Sequence, residues 1–141
     1  MNRKTFFRTA ALAMAGIAMG PAAFLESCAK SGSSPQGPSA NFTVDLSSPA
    51  NAVLNNIGGY IYSNGVIVCR VSSADLGFVA LAQTCTHNGC TVAYNVGSQN
   101  LLCPCHGGTY DLNGNVTGGP PPNPLTKYTV TRTNNTLTVK G

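Results

Sequence analysis

The chain is poor in charge. Among its 141 residues there are only four Asp or Glu and eight Lys or Arg. Three of the basic residues, Arg3, Lys4 and Arg8, sit at the extreme N-terminus, opposed in the first 27 residues by Glu26 alone. Further on, Lys30, Arg70, Lys127, Arg132 and Lys140 face Asp45, Asp75 and Asp111, so the formal charge of +4 splits into +2 and +2. No basic stripe or cluster exists beyond the N-terminus, and nucleic-acid binding therefore has no electrostatic footprint. A convincing amphipathic helical period is missing, and so is any internal repeat. Gly, Pro, Asn and Thr are plentiful instead, which points to short strands and many tight turns. The length leaves room for one domain, of a size that often gains from a metal site or a disulfide.

The first 27 residues read as an export leader. Residues 1–8 form a basic head, and residues 9–25 are almost wholly apolar with Gly16, Gly20 and Pro21 inside. That run is short for a membrane span, which needs roughly 20 residues, and Pro21 weakens a continuous helix. Arg3-Lys4-Thr5-Phe6-Phe7-Arg8 resembles a twin-arginine export motif with Lys in the second arginine position; the plainer reading is the head of an ordinary secretory signal. Leu25-Glu26-Ser27-Cys28 resembles a bacterial lipobox, which would make Cys28 the first mature residue and the site of lipidation. The Ser/Gly/Pro-rich stretch that follows suits a flexible tether, expected over 28–40. The domain is expected over 41–141, on the outer side of a bacterial inner membrane and held close to it.

Within 41–141 the pattern is one of strands. Asn41 to Leu46 alternates apolar and polar residues. Asn51 to Gly59 suggests a strand end and a turn. Tyr60 to Val71 carries Asn64-Gly65 at its centre, the strongest hairpin signal in the chain. Gly77 to Ala82 is a continuous apolar strand that leads into Cys85. Short strands are expected at Thr91–Tyr94 and Asn100–Leu102, a hairpin over Thr109–Val116, and a closing hairpin around Asn134-Asn135. Gly118 to Pro124 is a proline-rich extended loop. Cys69 lies mid-strand and reads as a small buried hydrophobe.

Chemistry concentrates in residues 85–108. Cys85-Thr86-His87-Asn88-Gly89-Cys90 and Cys103-Pro104-Cys105-His106-Gly107-Gly108 hold both histidines and four of the six cysteines. Two thiolates and two imidazoles suit zinc, or iron held with sulfide. Gly-rich loops let backbone amides approach the sulfurs. In an exported protein Cys90 and Cys105 could join the two loops as a disulfide.

Cys85-x-His87 followed by Cys103-x-x-His106 resembles the pattern of Rieske [2Fe–2S] proteins. The flanking Cys90 and Cys105, with Gly118-Gly119-Pro120-Pro121-Pro122, are most similar to the disulfide-containing cytochrome bc and arsenite-oxidase small-subunit types. The resemblance implies an all-β fold: a Rieske-type antiparallel β-sandwich with a small cluster-binding subdomain, about 82–124, inserted. It implies one [2Fe–2S] cluster, with Cys85 and Cys103 on one iron, His87 and His106 on the other, and a Cys90–Cys105 disulfide. Neutral imidazoles in place of two thiolates raise the cluster's potential. Tyr110 matches a family tyrosine that hydrogen-bonds a ligand sulfur.

Two departures stand out. Gly108 stands where high-potential relatives have Ser, which removes a hydroxyl donor to a bridging sulfide. The potential is therefore expected within the Rieske span of about −150 to +300 mV but below its top. Asn88 stands where quinol-oxidising relatives carry an apolar residue; an amide there suits a soluble partner, or simply a turn. The function implied is one-electron transfer as a membrane-tethered subunit of a respiratory quinol–cytochrome c reductase-like complex. Its partners would be quinol and a cytochrome b/c-type protein. The alternatives are an electron-transfer subunit of a periplasmic, arsenite-oxidase-like oxidoreductase and a zinc-stabilised binding domain. The chain carries no substrate-pocket chemistry and is not expected to be an enzyme by itself.

Overall fold

Asn64 and Gly65 adopt positive φ, 51° and 79°, and close a tight turn between strands Tyr60–Ser63 and Val66–Arg70, as the sequence predicts. The computed structural model describes residues 37–141. The leader, Cys28 and the tether as far as residue 36 lie outside the described residues. In chain order the strands are β1 (Asn41–Asp45), β2 (Tyr60–Ser63), β3 (Val66–Arg70), β4 (Phe78–Ala82), β5 (Ala93–Asn95), β6 (Asn100–Cys103), β7 (Gly108–Tyr110), β8 (Val116–Gly118), β9 (Lys127–Thr133) and β10 (Thr136–Lys140). They form a six-stranded sheet ordered β1-β10-β9-β4-β3-β2 and a four-stranded sheet ordered β5-β6-β7-β8. All the pairings are antiparallel.

Strand β9 joins the two halves of the larger sheet. Tyr128 and Lys127 pair with Ala80 and Leu81 of β4, whereas Thr129 to Thr133 pair with β10. The sheet folds over on itself, and Val44, Leu137 and Val139 from one half share a core with Val66, Val68 and Ala80 from the other. Side chains alternate along a strand, so Ile67 and Cys69 of β3 point the opposite way. There they join Leu81 in a second core with Val92, Tyr94, Leu101, Cys103, Tyr110 and Leu125. Strand β3 is thus buried on both faces, which explains its unbroken apolar run Val66-Ile67-Val68-Cys69. Burial of each of these aliphatic side chains contributes about 1.5–3 kcal/mol. Cys69 is the small buried hydrophobe its position suggests; burial pushes its thiol up to about 12.

The four-stranded sheet and its loops are an excursion from the β4–β9 pair. The chain leaves at Ala82 and returns at Thr126, whose carbonyl accepts a hydrogen bond from the Ala82 N–H at 2.8 Å. A strut from the side, the Tyr62 hydroxyl, donates to the Val92 carbonyl at 2.7 Å.

Two expectations change. Residues Pro49–Asn55 form a 3-10 helix, not a strand end. Pro49 presets the first turn, Leu54 is fully buried, and the Asn51 and Asn55 amides donate to the carbonyls of Asp45 and Leu46, which bind the segment to the end of β1. The last four residues of the expected tether are also fixed. The Gly37 N–H donates to Thr126 Oγ1 at 2.8 Å, the Tyr128 hydroxyl donates to the Pro38 carbonyl at 2.7 Å, and Ala40 exchanges two backbone hydrogen bonds with Gly141.

Among the described residues, no helix is long and apolar enough to cross a membrane.

Candidate metal centre

The two loops of the smaller layer share one local design. In the first, Thr84 and Thr91 form an isolated bridge, and the Gly89 N–H donates to the Cys85 carbonyl at 3.0 Å. In the second, Cys103 pairs with Gly108 across a hairpin, and the Gly107 N–H donates to the Cys103 carbonyl at 3.0 Å. Each is a Cys-x-x-x-Gly turn that ends in a left-handed glycine, with φ of 75° at Gly89 and 72° at Gly107. Each turn directs its second and third amides at its own cysteine sulfur: His87 and Asn88 at Cys85, Cys105 and His106 at Cys103.

The cysteine sulfurs are at the inner end of the site. Cys85 and Cys103 are 2 % and 1 % exposed. Burial works against a Cys85 thiolate, but the Tyr110 hydroxyl, the two amides and the neighbouring Cys103 outweigh it and hold the thiol below its ordinary value. Burial and the adjacent Cys85 push Cys103 up, so the two sulfurs titrate as a pair. Such donors stabilise thiolates, the form that binds metal.

The imidazoles are at the outer end. His106 is exposed and His87 half-buried. Their Nδ1 atoms converge to 3.2 Å with the rings edge to face. Two imidazole nitrogens bound at about 2.0–2.1 Å to one tetrahedral ion stand roughly 3.3 Å apart, so the pair fits a single ion. The sulfurs do not complete that ion's shell. The one group of three metal-binding atoms within 4.8 Å of one another among the described residues is the sulfur trio Cys90, Cys103 and Cys105. That trio is no ligand set, because Cys90 and Cys105 are joined as a disulfide across a sequence separation of 15. Sulfur pair and nitrogen pair therefore form two separate ends, which fits a two-iron cluster bridged by sulfide rather than one four-coordinate ion.

The model of the Rieske [2Fe-2S] domain family matches residues 48–129. The chain belongs to this family. The cofactor of the Rieske fold is one [2Fe–2S] cluster, and the buried thiols and converging imidazoles are a donor set of the right kind for it. The chain is 47% identical over 51 residues to a cytochrome b6-f complex iron-sulfur subunit of Prochlorococcus marinus (strain MIT 9515), an alignment covering 36% of this chain and 29% of that one. It thus matches less than a third of that relative's length. Among solved structures, the plasma-membrane Rieske protein PetC3 of Synechocystis PCC 6803 superimposes with a TM-score of 0.55 at 28% identity, covering 70% of this chain and 99% of the other. A chain of a hyperthermophilic respiratory Complex III gives 0.52 at 27% identity, covering 67% and 71%.

The structure gathers the residues expected at the site, Cys85, His87, Cys90, Cys103, Cys105, His106, Gly108 and Tyr110, in one region of the smaller layer. Tyr110 is fully buried, with its hydroxyl 3.3 Å from Cys85 Sγ. It also exposes a residue the sequence left unnoticed. Thr86 donates its N–H to the Tyr110 oxygen at 3.1 Å, and its hydroxyl donates to the Asn123 carbonyl at 2.6 Å, 3.1 Å from Tyr110. Thr86 thus ties the first loop, the tyrosine and the proline loop together. A threonine beside a cysteine carries no such signal until the chain 37 residues on folds back to it.

Tyr110→Phe keeps the packing and removes the donor to Cys85. A hydrogen bond to a charged acceptor is worth about 1.5–3 kcal/mol, and part of that differs between redox states. The variant's potential is expected to fall by on the order of 30–60 mV, using about 59 mV per tenfold for one electron. Redox titration checks this; an unchanged potential would remove Tyr110 from the tuning of the site.

Proposed function

We propose that this chain carries one electron at a time as the membrane-tethered iron–sulfur subunit of a quinol–cytochrome c reductase-like complex. In this reading Cys85 and Cys103 hold the inner iron, His87 and His106 the outer one, and the Cys90–Cys105 disulfide keeps their loops together. The observation that carries it is the sorting of donors, buried sulfurs within and converging Nδ1 atoms at the surface. When bound, the cluster accepts and releases single electrons at a potential raised by its two neutral ligands. The loop amides and Tyr110 steady the negative charge on the sulfurs. The two imidazoles stand between the sulfurs and solvent, so a partner's redox centre approaches on their side. Residues 1–27 serve as leader, 28–40 as tether, its last four residues held against the domain, and 41–141 as the Rieske domain with its cluster-binding part near 82–124. Cys28 is the proposed lipid site, on the periplasmic side of a bacterial membrane.

The partner side has almost no charge. Between Leu76 and Thr126 the only Asp, Glu, Lys or Arg is Asp111, and its carboxylate is occupied by Asn115 and by the Asn113 and Asn115 amides. Hydrogen bonding by the Asn115 side chain comes first among the causes that hold its pKa below the usual carboxylate value. Long-range steering therefore contributes little to encounter. Electron exchange with the partner is expected to vary by less than about twofold as salt shortens the Debye length from about 30 Å to 3 Å, where steered pairs lose tenfold or more. Stopped-flow rates across that salt series test it.

Co-purification from membranes tests the assignment. A cytochrome b that accompanies the chain supports the quinol-linked reading, and quinol is then the electron source. Exposed Asn88 at the loop tip favours a second reading, in which a periplasmic oxidoreductase subunit, arsenite-oxidase-like, is the partner. Protein that binds zinc and shows no paramagnetic signal on reduction would overturn both. Mass spectrometry of the membrane form decides lipidation of Cys28.

A further inference from the structure

Position 108 lies beside the sulfur end of the site and beneath the proline loop. A side chain there would begin 3.6 Å from Cys103 Cβ, within reach of the ligand sulfur. Its Cβ would also run into the Pro121 ring, with Cδ only 2.8 Å away and Cγ nearer still. Pro121 is buried and its ring is rigid, so the loop would have to move. The backbones meet as closely. A Cβ on Gly119 would lie 2.8 Å from Gly108 Cα and 3.0 Å from the Gly107 carbonyl oxygen. The loop facing this flank reads Pro120-Pro121-Pro122, three residues without an N–H. The sulfurs draw their donors from elsewhere, from four amides of their own loops and the Tyr110 hydroxyl.

We propose that Gly108 and Pro121 are a matched pair that seals one flank of the cluster against hydrogen-bond donors, and that Pro121, rather than residue 108 alone, keeps the potential down. The inference rests on the cluster assignment above and concerns what surrounds the cluster. Hydrogen bonds to sulfur favour the reduced, more negative cluster, so a donor-free flank disfavours it. The missing hydroxyl at 108 is then only half of the device. The other half is the ring that occupies the hydroxyl's space, so the two positions can change only together.

Four variants of the full chain test the pair: Gly108→Ala, Gly108→Ser, Pro121→Ala and the double change Gly108→Ser with Pro121→Ala. Gly108→Ala adds bulk without a donor, and its melting temperature is expected to fall well below that of the parent. Gly108→Ser should lose stability in the same way, and the double variant should recover much of that loss. The double variant should also titrate at a higher potential than either the parent or Pro121→Ala. Parental melting temperatures for both Gly108 variants would overturn the steric pairing. A double variant with the potential of Pro121→Ala would overturn the tuning role. A parent chain that assembles no cluster would sink the site assignment instead, and the melting series would still decide the contact.

Discussion

Changing His106 to alanine leaves a folded β framework that holds no [2Fe–2S] cluster. His106 is exposed at the tip of the β6–β7 hairpin, with its ring edge to face against His87. His106 belongs to neither core cluster, so the packing that holds the framework does not depend on its ring. On the proposed ligation the outer iron, by contrast, would lose one of its two protein donors. Nothing on the exposed side replaces it except water, and the remaining Nδ1 of His87 cannot fix the ion's position alone. Iron and acid-labile sulfide are expected to fall to background, together with the paramagnetic signal of the reduced protein, while the far-ultraviolet circular dichroism stays that of the parent. Full iron content with an unaltered spectrum would remove His106 from the ligand set.

Changing Cys90 and Cys105 together to serine is expected to lower the domain's stability by about 3 kcal/mol, the chain-entropy value for a closed loop of about 15 residues. Small domains are stable by only about 5–15 kcal/mol, so this is a large share. The bond joins two loops that otherwise meet mainly through the site itself. Cys105 is exposed and Cys90 half-buried, so core packing does little to hold them. Without the bond each loop keeps its own Cys-x-x-x-Gly turn, but the distance between the loops is no longer fixed. Loss of cluster on dilution or mild warming is therefore expected well before the sheets unfold. Urea unfolding followed at two wavelengths, one for the cluster and one for the backbone, would show two midpoints in the variant and coincident ones in the parent. Coincident midpoints in the variant would show that the loops need no covalent tie.

The candidate ligand residues and the hairpins were legible in the sequence because their signals are local. Cys85, His87, Cys103 and His106 fall within two short segments, and Asn64-Gly65 needs only its own turn to declare itself. Distant contacts decided what the sequence did not show. The 3-10 helix at Pro49–Asn55 depends on Leu54 entering a core completed by β10, at the far end of the chain. Residues 37–40 look like linker and yet are fixed by Thr126, Tyr128 and Gly141. Gly108 was noticed for the hydroxyl it lacks, whereas the ring of Pro121 explains why nothing larger fits. Composition and spacing carry no trace of such meetings.

The hydrogen bond between Ala82 and Thr126 bears on how this centre could be moved between proteins. The excursion that carries the ligands begins and ends at adjacent residues of a β pair, so in outline it is a cassette that a short turn could replace. Its removal would, however, open the outer wall of β3 and β4 and leave Ile67, Cys69 and Leu81 facing water. A recipient scaffold must therefore supply more than two neighbouring strand ends. It must also offer an apolar outer face for the cassette to cover, and the width of that face, not the number of ligands, limits where the centre can be transplanted.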